Sequence, residues 1–497
     1  ARRIDAAISG GDYDAARQLL DTVPSARRDG AEFRLRRAYV ERAVGHSTAG
    51  RELFQAVLDA DTARTLAAPI RTEALIGLGV MQLQGGDAAA ARPRLDEAIE
   101  LAQRERLPLA YADAMASRAS LNAAEGREAE ADSDFAQARI ALEMAADSLG
   151  VAELEANQAG TLLTRHRYAE ARPLLERSIE RMQRFPPGET LITALGNQIF
   201  MHLAFLEPRE ALAVAERARD SVARVGAVRK RQSFAIHEAR ALMANGRLEQ
   251  ARRLIDAIVP DADAQQAPDL HAAVLGSQAH LAFEAGQWRE AADLAGRHLQ
   301  ALAVPALSTP LYARTRATSE RLRIRALLRA SAPDAAAEAL AGFSAWAGHE
   351  RDSSVAAQFH LARAEVAAAG RHHEAAGEAF EAALASVGRG AAPADVARVA
   401  VAYGQFLIDS GRPGEATRIA GQVSRWSGQC FECAALQARL YRVLGQDRLA
   451  REALATAHTL AGERQLPAGT VEPEAERGVA GRRIELPPVA SASSSRR

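Results

Sequence analysis

Residues 155–179 read EANQAGTLLTRHRYAEARPLLERSI, with Asn157 set in a small, apolar run and Pro173 inside a second one. From Ala171 the apolar or small residues Leu174, Leu175, Ser178, Ile179 and Met182 follow at the i, i+3, i+4, i+7 spacing of one helical face. The spacing predicts a helix there, another over 151–164, and a tight turn between them at His166-Arg-Tyr. Pro173 is expected within the first turn of the second helix, where amide hydrogens have no intrahelical partner and a proline marks a helix start at little cost.

The turn signal recurs along the chain. Starts fall at Gly11, Gly45, Gly86, Gly126, His166, Leu206, Gly246, Gly286, Ser331, Gly370, Gly411 and Gly445, and from 86 to 286 successive starts differ by 40 residues (126−86, 166−126 and onward). Five residues after each start stands a small residue: Ala16, Gly50, Ala91, Ala131, Ala171, Ala211, Ala251, Ala291, Ala336, Ala375, Ala416 and Ala450. A small residue at that place lets the two helices of a hairpin approach closely. One such hairpin cannot bury its apolar face alone and must stack on its neighbours, so the period predicts a solenoid. Pro93 holds the place of Pro173 in its own unit (93−86 = 173−166).

Composition agrees. The 497 residues are rich in Ala, Leu and Arg with 5% aromatics, and Lys230 is the only lysine among 62 basic residues. The formal charge of −1 and a pI near 7.0 give no global field for a nucleic acid or an anionic membrane. Two cysteines, Cys430 and Cys433, make no disulfide framework and are compatible with a reducing compartment. No run of eighteen apolar residues predicts a membrane span. The start Ala1-Arg-Arg-Ile-Asp carries neither a methionine nor a signal-peptide pattern, and residues 1–9 make only a truncated first helix, so the expectation is an array that continues, or joins another domain, upstream. Residues 463–497, rich in Gly, Pro, Ser and charge, are expected to be a disordered tail.

The unit resembles the tetratricopeptide repeat (TPR). Leu78-Gly79 with Gly86, Ala91, Leu95 and Ala98 follow its pattern, as do Gly126, Ala131, Phe135 and Ala138, and Gly445, Ala450, Leu454 and Ala457. The 40-residue period is similar to the longer repeats of kinesin light chains and of MalT-like bacterial regulators. The resemblance implies an all-α, right-handed superhelical solenoid of about twelve TPR-like helix-turn-helix repeats. It covers residues 1–300, then 301–462 beyond a junction where the spacing stretches to 45 (331−286) and Pro305 and Pro310 interrupt. It further implies a non-catalytic protein- or peptide-interaction scaffold, the regulatory or sensing module of a larger bacterial protein. The alternative is a small-ligand sensor of a transcriptional regulator or Ser/Thr kinase. The location implied is cytoplasmic, or else the periplasmic portion of a membrane-anchored regulator.

In such arrays the first helix of each pair lines the concave face. Nine residues before successive turns stand Ser117, Asn157, Asn197, His237 and Ser277, a polar ladder in 40-residue register. Amides donate and accept together and so suit the backbone of an extended peptide; the same residues also suit a solvated face or the capping of nearby carbonyls. Phe200, Arg240 and His280, one turn on, extend that surface. Arg229-Lys230-Arg231 could receive a carboxylate or phosphate, or simply form a solvated helix start. Cys430-Phe-Glu-Cys433 reads as packing at a helix start or as a redox or metal pair, although a zinc site needs two further ligands and His458 stands alone. His372-His373-Glu374 reads as a surface turn and Gly77-Leu-Gly79 as helix packing, not a dinucleotide fingerprint. No catalytic constellation stands out, and no cofactor or metal is expected.

Overall fold

The computed structural model of the protein describes residues 2–9, 11–61, 66–259, 267–304, 307–308, 312–348, 350, 352–388, 391–467 and 469–470. Pro305, Pro310 and residues 471–497 of the expected tail lie outside them. Helices succeed one another in packed antiparallel pairs: α1 (Arg2–Ser9) with α2 (Tyr13–Asp21), then, after the single turn α3 (Ser25–Arg28), α4 (Ala31–Ala43) with α5 (Ser47–Asp59) and α6 (Ala68–Gln84) with α7 (Ala88–Arg104). The series continues with α8 (Pro108–Ala124) and α9 (Glu128–Met144), α10 (Ser148–Thr164) and α11 (Tyr168–Met182), α12 (Glu189–Ala204) and α13 (Pro208–Arg224), and α14 (Val228–Ala244) and α15 (Leu248–Ile258). It ends with α16 (Pro268–Glu284) and α17 (Trp288–Leu302), α18 (Ala313–Arg329) and α19 (Pro333–Ala347), α20 (Ser353–Ala369) and α21 (His373–Ser386), α22 (Pro393–Asp409) and α23 (Pro413–Gly421), and α24 (Phe431–Val443) and α25 (Asp447–Ala461). The chain is an all-α solenoid of TPR-like hairpins, and α17 packs on α18 across the long spacing after residue 286.

Each turn closes the same way. In the α6–α7 hairpin Gly86 takes φ 81°, its N–H donates to the Leu83 carbonyl at 3.0 Å and the Asp87 N–H to that of Gln82 at 2.9 Å, which satisfies two orphan carbonyls at the helix end. Eleven of the twelve starts read from the sequence have this positive φ; the twelfth is displaced by one residue, because Arg371 at φ 60° and not Gly370 occupies the left-handed position. The buried small residue moves with it, so Ala376 is enclosed and Ala375 exposed. Ala91, Ala171, Ala211, Ala251, Ala291 and Ala416 are each 0% exposed. Phe54, Leu95, Leu175 and Phe343 are fully buried in their own repeats, each contributing about 1.5–3 kcal/mol by leaving water. Pro93 and Pro173 depart from expectation: each is the sixth residue of its helix, beyond the free first-turn amides, so each forfeits one i→i−4 hydrogen bond.

Successive turns of the superhelix touch. The Glu249 N–H donates to the Glu463 carboxylate at 2.8 Å across 214 residues, and the Tyr13 hydroxyl donates to Glu189 across 176. One superhelical turn thus takes about five of the 40-residue units. Ile4, Tyr13 and Leu20 share one hydrophobic core with α10–α15 and with Ala392. A Cβ at Gly226 would lie 1.8 Å from the Gly11 carbonyl oxygen, and one at Gly246 2.1 Å from that of Ala461, so the backbones meet where only glycine fits. Residues 463–467, the start of the expected tail, pack back on the repeats: the Glu463 N–H donates to the Gly246 carbonyl at 2.8 Å, and the Gln465 amide lies beside Gly286.

Candidate functional site

The predicted ladder stands on the first helices of successive pairs, α8, α10, α12, α14 and α16, and the space the superhelix winds around is its lumen. Arg240 and His280 both reach solvent, yet burial lowers the Arg240 guanidinium below its usual range and takes the His280 imidazole down to about 3. Both side chains touch water at their tips and are crowded by protein around the rest. Arg240 also depresses His237, which burial brings to about 3, so both imidazoles are neutral at pH 7. Among the described residues no carboxylate pairs with Arg240, which leaves a positive charge facing the lumen uncompensated.

Two members of the predicted ladder each lean on the preceding first helix. Asn157 is exposed on α10; Asn197 on α12 leans over Gly160, where an added Cβ would stand 3.2 Å from its amide nitrogen. His237 on α14 lies against Gly196 in the same manner, with its Nδ1 buried and unpaired. Phe200 is 36% exposed, a large ring open to the lumen. Ser117 is half-buried and donates to the Asp113 carbonyl at 2.8 Å. Ser277 is only 1% exposed and donates to the Ala273 carbonyl at 2.8 Å, so it offers the lumen nothing. The basic triplet joins protein partners: Arg229 reaches Asp269 at 2.5 Å, Lys230 the Thr193 hydroxyl at 3.2 Å and Arg231 the Val225 carbonyl at 2.5 Å.

A second ladder went unread. Glu73, Asp113 and Glu153 keep the same 40-residue register one helical turn before the first ladder. Burial raises all three, and the charges of Glu153 and Glu73 help bring Asp113 up to about 6. The signal was available as a repeat of acids at i−4 from Ser117 and Asn157. The lumen therefore changes sign along its length, acidic over α6–α10 and basic around Arg240.

Elsewhere polar side chains staple one repeat to the next. Glu155, 1% exposed on its side chain, takes Arg139, Arg177 and Arg181 at 2.9–3.2 Å. Arg118 bridges Asp96 and Asp134, each at 2.9 Å. Cys430 and Cys433 form a disulfide. A bridge spanning three residues closes too short a loop to hold a fold together. Among the described residues no group of three or more His, Cys, Asp or Glu is placed to hold a metal ion, and no helix is long and apolar enough to cross a membrane.

Fold and lumen together define the class: a TPR-like superhelical repeat array. No family model matches the chain, and no curated protein matches it. Solved structures similar to it include PilF of Pseudomonas aeruginosa, at 23% identity over 50% of this chain and 99% of that one, TM-score 0.32. A Rap protein complexed with competence and sporulation factor is 12% identical over 85% and 99% of the two chains, TM-score 0.42. The Cut9 and Hcn1 assembly of APC/C is 12% identical over 92% and 86%, TM-score 0.43.

Proposed function

We propose that the lumen binds an extended protein or peptide segment, and that the chain is a non-catalytic interaction module of a larger, cytoplasmic bacterial regulator. The observation that carries the binding reading is the run of Asn157, Asn197, Phe200, His237, Arg240 and His280 along one inner wall, with Arg240 lacking a carboxylate partner. Amides pair with a peptide backbone, Phe200 offers an apolar contact, and Arg240 attracts an acidic side chain or a terminal carboxylate. The acids at 73, 113 and 153 favour a basic stretch at the other end of the same segment. Attachment to a regulator rests on the resemblance of the repeats alone.

The test is selection from a random peptide library against the whole chain, followed by affinity measurement. Selected peptides carry an acid and, some residues away, a basic stretch. Asn157→Ala with Asn197→Ala weakens them about 10-fold or more, since each lost backbone hydrogen bond is worth roughly 0.5–1.5 kcal/mol. Unchanged affinity in a folded double variant removes the groove assignment.

The lone guanidinium, crowded by protein, also suits a small anionic metabolite. A thermal shift against carboxylates and phosphates that disappears in Arg240→Gln would favour that reading, because a ligand bound only to the folded state raises its midpoint.

A further inference from the structure

The disulfide belongs to the contact that joins one superhelical turn to the next. Cys430 caps the N-terminus of α24, its Sγ accepting the Cys433 N–H at 3.2 Å. The two residues held between the cysteines grip Arg464: its guanidinium lies 4.4 Å from the Phe431 ring centroid and 3.8 Å from the Glu432 carboxylate. Arg464 also donates to the carbonyls of Leu460 at 2.5 Å and Ala461 at 3.1 Å, tying the end of α25 to the first turn of α24. Its neighbour Glu463 reaches the other way. There its N–H meets the Gly246 carbonyl and its carboxylate caps the first turn of α15 through the Glu249 N–H, both at 2.8 Å. Glu284, raised by burial and by Glu432 and lowered by Arg464, faces the same cluster from α16.

We propose that Cys430–Cys433 is a thiol–disulfide exchange site, with a dithiol as its reductant, and that its state sets the clasp of residues 461–464 on residues 246–249. One thiolate of the dithiol attacks Cys430 or Cys433, forming a mixed disulfide and expelling the other cysteine as a thiolate. The second thiolate of the dithiol attacks its own bonded sulfur and releases the remaining cysteine. Two electrons pass from the dithiol, which leaves as a cyclic or linked disulfide, and two protein thiols result. The dithiol attacks the Cys430 sulfur and expels Cys433, and because the helix N-terminus and the Cys433 N–H stabilise a thiolate at Cys430, Cys430 is a good leaving group in the second step. Cys430 is 5% exposed and Cys433 0%, so the reductant meets the pair from the Cys430 side. Reduction removes the cross-link that fixes the first turn of α24, which carries Phe431 and Glu432, loosens Arg464, and with it the capping of α15 by Glu463.

The experiment follows amide hydrogen exchange of the whole chain, oxidised and after dithiothreitol, with thiols counted by alkylation and mass spectrometry. Residues 246–250 and 461–465 exchange about 10-fold faster once two thiols appear, whereas residues 86–200 do not change. Cys430→Ser with Cys433→Ser reproduces the fast rate and ignores dithiothreitol. Glu463→Ala exchanges fast at 249 in both redox states, which places the effect in the clasp and not in general unfolding. Two free thiols in the oxidised chain, a disulfide that folded protein does not yield to dithiothreitol, or reduction with exchange at 246–250 unchanged each overturns the proposal.

Discussion

Ser331 holds a φ of 58° where most turns of the array, Gly286 before it among them, use glycine, and its side chain is exposed. A Cβ in the left-handed region costs about 1 kcal/mol, so Ser331→Gly raises unfolding free energy by roughly 0.5–1 kcal/mol, less the entropy glycine adds to the unfolded chain. Denaturant titration reads that gain. Asp113 gives a pH signature. Its folded pKa of about 6 lies above the unfolded value of 3.8, so its stabilising share is full below pH 3.8 and is lost as pH rises through 6. Asp113→Asn therefore raises the thermal midpoint at pH 7 and leaves it unchanged at pH 3.5. A gain equal at both pH values would mean that neither burial nor its acidic neighbours raise Asp113. His237 and His280 act oppositely: with folded values near 3 they lose stability on acidification from pH 6.5 towards 3. The first ladder was legible because amides stand out in an alanine-rich helix; the acids were not, because Glu and Asp are ordinary on any helix until protein crowds them.

At the scale of the element, the turn was legible almost to the residue. A glycine at the helix end and a small residue five positions on describe one local motif, and local chemistry is what sequence spells out. The slip at Gly370 shows the limit: given Gly370-Arg371, packing of Ala376 and not glycine preference decided which residue turns. Pro93 and Pro173 show another, since both are exposed in mid-helix, and the packing of the buried residues beside them, Leu95 and Leu175, outweighs one missing hydrogen bond. Two glycines with the same φ separate turn from clasp. Gly126→Ala meets open space and costs about 1 kcal/mol, the backbone strain alone. Gly246→Ala meets the Ala461 backbone as well and costs at least twice that, roughly 2–3 kcal/mol, in parallel chemical denaturation.

The whole molecule could not be read from its period. A repeat specifies how neighbours stack, but contact between units five apart depends on the accumulated rotation, which no single unit encodes. Those contacts change what a solenoid ordinarily does. Residues 190–258 are buttressed by the first hairpin on one side and by 461–465 on the other, so their amides exchange slowest in native-state measurements, instead of protection rising evenly towards the middle of the array.

Neighbouring coils of the chain rest on one another where Gly11 meets Gly226 and where residues 461–463 meet Gly246, and at those places the superhelix is closed. A long polypeptide threaded between the coils meets those contacts on entry and again on exit. A threaded guest leaves as slowly as it enters, so residence time and affinity become separate properties, the first governed by the walls and the second by the wall's side chains.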